Sequence, residues 1–411
     1  MTLGSHTKPK QKLLNAAVIV AALGYFVDIY DLVLFSIVRM PSLRDMGLAT
    51  NAQFSRGVLL LDLQMAGMLI GGIFWGILGD KKGRLSVLFG SIALYSLANI
   101  ANGFVTSLEQ YAVLRFIAGI GLAGELGAGI TLVSEILSKE QRGFGTMIVA
   151  TVGVMGAILA GVIGEHYHWR TAYFVGGTLG LALLVLRIGV SESGMFANLK
   201  THSKDRGNFF KLFSSRKRLS RYVKTILTGV PIWFVIGIMV TFSPEIAKSL
   251  SIPDPISTAR AILFCYLGLV FGDFASGYIS QLIKSRTKVL LGFALLTGLS
   301  VALALVSYGV SANYYYGLCL LMGFATGYWA VFVTVAAEQF GTNLRATAAT
   351  TAPNFVRGSV VPMTLAFHGL SGKLGVLNSA WIVGGVVITI AVICAMNLPE
   401  TFGKELDYVE H

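Results

Sequence analysis

Charge is scarce in this chain. Only 13% of its 411 residues are Asp, Glu, Lys or Arg, and 55% are hydrophobic; a soluble domain carries about 25% charged residues. The mean hydropathy is +0.72. That balance excludes a water-soluble globular protein. Acid is scarcer than base, with 20 Asp plus Glu against 32 Lys plus Arg. In a soluble protein this excess would suggest a nucleic-acid partner. Here the distribution of the basic residues points to membrane topology, and no nucleic acid is expected. Cysteine is nearly absent. Cys265, Cys319 and Cys394 stand in separate apolar segments with no metal-ligand spacing, so no disulfide framework is expected. His166 and His168 lack a third ligand and read as surface residues, so no metal is expected either. No nucleophile–base–orienter set appears, and no Gly-rich phosphate loop follows a strand. An enzyme, ATP hydrolysis and a bound cofactor are therefore not expected.

Long apolar runs and glycine are what the chain has in quantity. Twelve apolar segments lie near residues 13–38, 56–79, 85–105, 110–136, 143–164, 170–190, 221–243, 258–281, 287–309, 314–338, 346–369 and 375–397. At about 1.5 Å rise per residue each can cross a bilayer as a helix. The 48 glycines suit helices that pack backbone to backbone in lipid. The first run is too long for a signal segment and no small-residue cleavage site follows it, so it is expected to be retained. Residues 191–220 are polar and basic. They divide the chain into an N-terminal six-helix bundle (1–190), a cytoplasmic linker (191–220), a C-terminal six-helix bundle (221–397) and a cytoplasmic tail (398–411).

With the N-terminus inside, 23 Lys and Arg fall at cytoplasmic ends. Seven fall at outer ends: Arg39, Arg44, Arg56, Arg170, Lys248, Arg260 and Lys373. That ratio sets the orientation, with both termini cytoplasmic. Short loops and tails point to a bacterial inner membrane.

The halves repeat. Gly76-Ile-Leu-Gly-Asp80-Lys-Lys-Gly83-Arg84 closes the second segment, and Gly277-Tyr-Ile-Ser-Gln281-Leu-Ile-Lys-Ser-Arg286 closes the eighth. Glu135 and Arg142 follow the fourth segment as Glu338 and Arg345 follow the tenth. Ser191-Glu192-Ser193 ends the sixth as Pro399-Glu400-Thr401 ends the twelfth. Three matches at nearly one offset indicate a duplicated six-helix unit about an axis along the membrane normal. The expected fold is all-α, with twelve transmembrane helices in two pseudo-symmetric six-helix bundles.

Charges inside the spans carry the functional signal. Asp28 and Asp31 lie near the middle of the first segment, three residues apart and so on one helical face. Each costs about 2.5–3.5 kcal/mol at mid-membrane on insertion scales. They read either as a structural pair met by an arginine or as a proton or substrate site. Glu125, well inside the fourth segment, reads equally as a structural ion pair or as part of the coupling set. Asp62 and Asp273 read as partners in local caps or helix–helix hydrogen bonds. Arg357, in Asn354-Phe-Val-Arg357-Gly358 of the eleventh segment, needs an anion: Glu338, Asp273 or a substrate carboxylate. A guanidinium suits the last by its bidentate fork. Pro231 and Pro244 bracket the seventh segment; Pro353 and Pro362 interrupt the eleventh.

At these residues the chain resembles the major facilitator superfamily of secondary transporters, over essentially its whole length. Gly76, Asp80, Gly83 and Arg84 look like that family's signature between its second and third helices. The departures are Leu85, where a second basic residue is usual, and Gln281 at the acidic position of the second copy. Arg115-Phe-Ile-Ala-Gly119-Ile-Gly121-Leu-Ala-Gly124-Glu125, Glu135 through Arg142-Gly143, and Pro399-Glu-Thr-Phe-Gly403 resemble the sugar-porter, organic-ion and metabolite:proton symporter branches. Asp28-Ile-Tyr-Asp31 is closest to aromatic-acid:proton and nicotinate-type carriers.

The resemblance implies several roles. Asp31 pairs with Arg115 in a proton-coupled switch, with Asp28 and Glu125 nearby. Burial favours the neutral form of a carboxylic acid and a neighbouring cation favours its charged form, so movement of the arginine would load or unload a proton. Helices 1, 7 and 10 line the central cavity, which makes Tyr25, Tyr30, Trp233 and Trp329 candidate substrate contacts with Asn354 and Arg357. Gly76, Asp80, Gly83, Arg84, Glu135, Arg142, Glu192, Glu338, Arg345 and Glu400 form a cytoplasmic gate that latches the halves. The implied activity is proton symport of a small organic anion or polar metabolite by a monomer in the lipid bilayer. The alternative is a proton antiporter exporting organic cations or drugs. It lacks support from the fifth segment, which has no Gly-Pro motif. A non-transporting sensor on a carrier fold would need a signalling domain, for which the chain has no room.

Overall fold

The structure, a computed structural model, describes residues 16–137, 139–188 and 209–404. Every regular element among them is helical. Twelve spans follow in order. They are α1 (Ala16–Asp45), α2 (Thr50–Lys82), α3 (Arg84–Asn102), α4 (Leu108–Leu122 continued by Glu125–Ile136), α5 (Lys139–His166) and α6 (Trp169–Leu186). The second set is α7 (Arg216–Phe234, a π turn Val235–Val240, then Ser243–Ser249), α8 (Thr258–Leu282), α9 (Arg286–Leu305), α10 (Ala312–Thr326 and Trp329–Glu338), α11 (Thr342–Gly358 and Val360–Leu374) and α12 (Val376–Met396). Eleven of the spans are long and apolar enough to cross a membrane as single units. The remaining one, α11, is split at Ser359 into pieces of 17 and 15 residues.

Local chemistry explains the boundaries. Ser107, Ser257, Ser285 and Ser311 cap α4, α8, α9 and α10, each accepting a bond from a first-turn N–H. Gly83, at φ 102°, alone separates α2 from α3, a backbone that a side chain would strain. The break in α11 follows from Pro362, whose missing N–H cannot bond the Gly358 carbonyl. Pro231 precedes the π turn of α7. Two breaks carry no proline: α4 parts at Ala123-Gly124 and α10 at Gly327-Tyr328. The C-terminal set also begins earlier than expected, since α7 starts at Arg216, inside the stretch read as linker. Residues 189–208 of that stretch, with Glu192, lie outside the described residues.

Between the halves, α2 packs along α11 and α5 along α8, while α1 touches α8. The face remote from the chain ends is sealed by polar bonds across this seam. Arg39 of α1 pairs with Glu245 of α7 at 2.8 Å. Arg260 of α8 pairs with Glu165 of α5 at 2.9 Å, and Ser257 donates to the same carboxylate at 2.6 Å. Thr364 of α11 donates to Asp62 of α2 at 2.5 Å. Toward the face carrying the chain ends, the seam is made differently. There α11 lies against Gly72, Gly76 and Gly127, and Asn354 donates to the Ala123 carbonyl at 2.8 Å.

Candidate functional site

The midpoint of the seam holds a buried aromatic and ionic cluster. α1 supplies Tyr25 and Asp28, α7 supplies Trp233, α10 supplies Trp329 and α11 supplies Arg357; each is at most 4% exposed. The Trp329 indole N–H donates to the Tyr25 hydroxyl at 3.0 Å, joining the halves. The Arg357 guanidinium lies 5.7 Å from the Trp329 ring and 5.9 Å from the Trp233 ring. Such contacts stabilise a cation when it is desolvated. Asp28 is its counter-ion, with Oδ2 3.6 Å from Arg357 Nη2. That distance is an ion pair without a hydrogen bond. Among the described residues, neither oxygen of Asp28 and none of the three guanidinium nitrogens has a hydrogen-bond partner. Cation and anion are thus both buried and both short of hydrogen-bond partners among the described residues.

The rest of the expected coupling set is arranged otherwise. Asp31 is fully buried on α1 and neither of its oxygens has a hydrogen-bond partner among the described residues. Arg115 does not close an ion pair with it. The guanidinium is held by three neutral amides: Nη2 donates to Asn99 at 2.7 Å, Nε to Asn102 at 3.4 Å and Nη1 to Gln64 at 3.5 Å. The Tyr173 ring covers it at 4.8 Å. Glu125 is withdrawn into a different pair. Arg187, at the end of α6, donates to both of its oxygens, through Nη1 at 3.0 Å and through Nη2, and to the Leu88 carbonyl at 3.1 Å. Gly24 of α1 faces this pair so closely that a Cβ there would collide with Arg187 and Glu125.

Tyr30 also falls outside the cluster, because its hydroxyl donates to the Ala172 carbonyl of α6 at 2.9 Å. Asn354 sits one turn before Arg357 and bridges to α4 rather than facing the guanidinium.

The charges at the chain-end face show another departure. Glu338 lies 3.6 Å from Arg286 and accepts a bond from Thr401 at 2.7 Å. Glu400 accepts from Ser285, from the Arg286 and Phe402 N–H groups and from Thr287. Burial alone would raise its carboxyl, but these four donors hold it down at about 2. All of these contacts lie within the C-terminal half, so Glu338 and Glu400 pin the tail to their own bundle instead of latching the two halves. Gly76 packs against Thr351 of α11 across the seam. Arg345 lies near the start of α11. The side chains of Asp80, Arg84, Glu135 and Arg142 lie outside the described residues.

Sequence reasoning missed Arg187 and Arg39. Both stand among the charges assigned to the ends of the segments, and both are fully buried. It also missed the amide cradle of Arg115, although Asn99 and Asn102 stand three apart in an apolar segment.

The model of the Major Facilitator Superfamily matches residues 17–364. The chain is 26% identical to a cis,cis-muconate transport protein of Acinetobacter baylyi, covering 99% of this chain and 97% of that one. It is 25% identical to a putative niacin/nicotinamide transporter of Bacillus subtilis, covering 95% and 96%. The crystal structure of a D-xylose-proton symporter superposes with a TM-score of 0.71 at 18% identity, covering 95% of this chain and 99% of that one.

Proposed function

The chain belongs to the Major Facilitator Superfamily, and on that premise we propose that it is a proton-coupled symporter for a small, planar organic anion. The observation that carries the reading is Arg357, buried between the halves, flanked by two tryptophans and paired with Asp28 without a hydrogen bond. A carboxylate entering the cluster can form the bidentate bonds that Asp28 does not make. The rings of Trp233 and Trp329 offer faces to a flat carbon skeleton. Relatives named for muconate and for niacin or nicotinamide transport support an acid of that kind.

Charge balance gives the coupling. With the substrate on Arg357, Asp28 is left as an uncompensated buried anion, which is costly unless it takes a proton. Asp31, which closes no ion pair with Arg115, is a second candidate carrier. Return of Arg115 from its amides to Asp31 would expel that proton. In this cycle the far-face bonds open and close against the small-residue seam at the other end, so one face is sealed at a time. The basic loops support cytoplasmic termini, and each six-helix bundle is proposed to move as a unit within a monomer in the cell membrane.

The test is a set of transient currents from purified protein in proteoliposomes on solid-supported membranes, at two pH values. The panel comprises benzoate, nicotinate, cis,cis-muconate, dicarboxylates, amino acids, sugars and organic cations. Inward positive current with planar monoacids, as follows when Asp28 and Asp31 each carry a proton with one monoanion, absent in Arg357→Lys, is the expected result. Currents with cations alone, reversed under an opposed pH gradient, would replace this reading with proton antiport.

A further inference from the structure

One buried carboxylate remains outside the coupling scheme. Asp273, in the middle of α8, is 1% exposed, and no cation pairs with it among the described residues. Its Oδ1 accepts a bond from the Ala330 N–H at 3.1 Å, while Oδ2 is buried without a partner. Ala330 is the second residue of the ten-residue second piece of α10. The carboxylate therefore reaches across from α8 to cap a helix that α10 itself leaves uncapped. A negative group at a helix N-terminus is stabilising in its own right, more so out of water.

The two backbones meet at the same point. Gly327, where α10 breaks, lies so close to Gly272 that neither position admits a Cβ. The Tyr328 hydroxyl then donates to the Thr228 carbonyl of α7 at 3.0 Å. The next residue is Trp329, whose indole crosses the seam to Tyr25 and covers Arg357. The cap, the break and the site tryptophan are thus consecutive in space and in sequence.

We infer that Asp273 is a positioning residue for the substrate site: by capping the second piece of α10 it sets where Trp329 stands over Arg357. The inference rests on the reading of Trp329 as a wall of that site. Replacing the carboxylate by a group that cannot accept the Ala330 N–H frees the first turn and releases the indole from Tyr25. Asparagine retains an acceptor oxygen and conserves the position.

The experiment is 19F NMR of the full chain labelled with 5-fluorotryptophan, which gives one resonance for each of the five tryptophans. Trp329→Phe identifies the Trp329 signal. Asp273→Ala and the bulkier Asp273→Leu are expected to displace that signal while those of Trp75 and Trp169 hold still; Asp273→Asn leaves it in place. A Trp329 resonance unmoved in either apolar variant overturns the inference, and so does one displaced equally by Asn. Collapse of all five signals in one apolar variant transfers the test to the other. Transport that survives Trp329→Phe would instead remove Trp329 from the site and leave the cap standing, so the two failures are distinct.

Discussion

Among the described residues, two arginine–carboxylate pairs are fully buried in the spanning region, and they are built differently. Arg187 and Glu125 belong to the same half, and both carboxylate oxygens accept bonds from the guanidinium, with a backbone carbonyl satisfying more of it. Arg357 and Asp28 belong to opposite halves, 3.6 Å apart, and share no hydrogen bond. Both Glu125 oxygens are bonded and only Nε of Arg187 lacks a hydrogen-bond partner among the described residues, so the first pair is the more completely satisfied and ties α4 to α6. The second holds the same charges with fewer bonds, between the two halves. Buried charge alone therefore does not mark a transport site. In the proposed function, incomplete satisfaction across the seam between the halves does.

The largest expected effect breaks the satisfied pair. Arg187→Leu leaves Glu125 as a lone buried anion and is expected to cost about 3–5 kcal/mol, read as loss of monodisperse protein after mild heating. Replacing both partners, Glu125→Leu with Arg187→Met, should recover most of that loss. Transport by the double variant would confirm that the pair is structural. A fold that tolerates Arg187→Leu alone would end the distinction drawn here.

The mirror experiment acts on the unsatisfied pair. Arg357→Lys keeps the charge but loses the fork and the flat face toward the tryptophans. Transport is expected to fall by at least about tenfold, a loss of one 1.4 kcal/mol step in binding, while thermal stability changes by far less than in Arg187→Leu. Equal stability losses in the two variants would erase the contrast.

A smaller effect belongs to the far-face seam. Glu245→Gln removes the counter-ion of Arg39 from a partly exposed pair, and a shift of about 1 kcal/mol toward the form open on that face is expected. A cysteine reporter at Ser36, which lies beside Thr241 across the seam, should label several-fold faster from that face. Unchanged labelling would show that the pair does not hold the seam.

The smallest effect is at Glu400. Its folded carboxyl is held down at about 2, below the ordinary value of 4.5. Its contribution is therefore complete above about pH 4.5 and is lost as pH falls through 2. Acid unfolding of Glu400→Gln should lack that component, with the two proteins converging below pH 2. Identical acid profiles would show that the tail contributes nothing to stability.

The sequence made the fold legible because lipid demands long apolar runs, and each of the twelve declared itself. The helix break at Pro362 was legible as well, since proline removes a donor, but Pro353 lies inside the unbroken piece Thr342–Gly358 and Pro231 lies inside α7 rather than at its edge. The breaks at Ala123-Gly124 and Gly327-Tyr328 were not legible: Gly124 packs against the side chains of Ser91, Trp75 and Val87 and Gly327 against the backbone of Gly272, and no residue type announces such contacts. The burial of Arg187 was not legible for a simple reason: it lies near the end of an apolar run, and a charge at a run's edge usually reaches water. Its partner is 62 residues away, a separation that spacing arguments cannot bridge. Tyr25 and Tyr30 could have been told apart. Five residues separate them, which at about 100° each turns them to different faces of α1. Tyr25 and Asp28, three apart, share one.

The account stands or falls on the exchange of partners at Arg357. The most direct test compares two assays of Asp28→Asn in proteoliposomes, using the planar acid that drives the largest current in the parent. One is counterflow of labelled acid with no pH gradient; the other is accumulation driven by an inward proton gradient. The account predicts counterflow within a few-fold of the parent and accumulation lost. Accumulation at the parent level, or loss of both activities in a protein that remains folded, would contradict it.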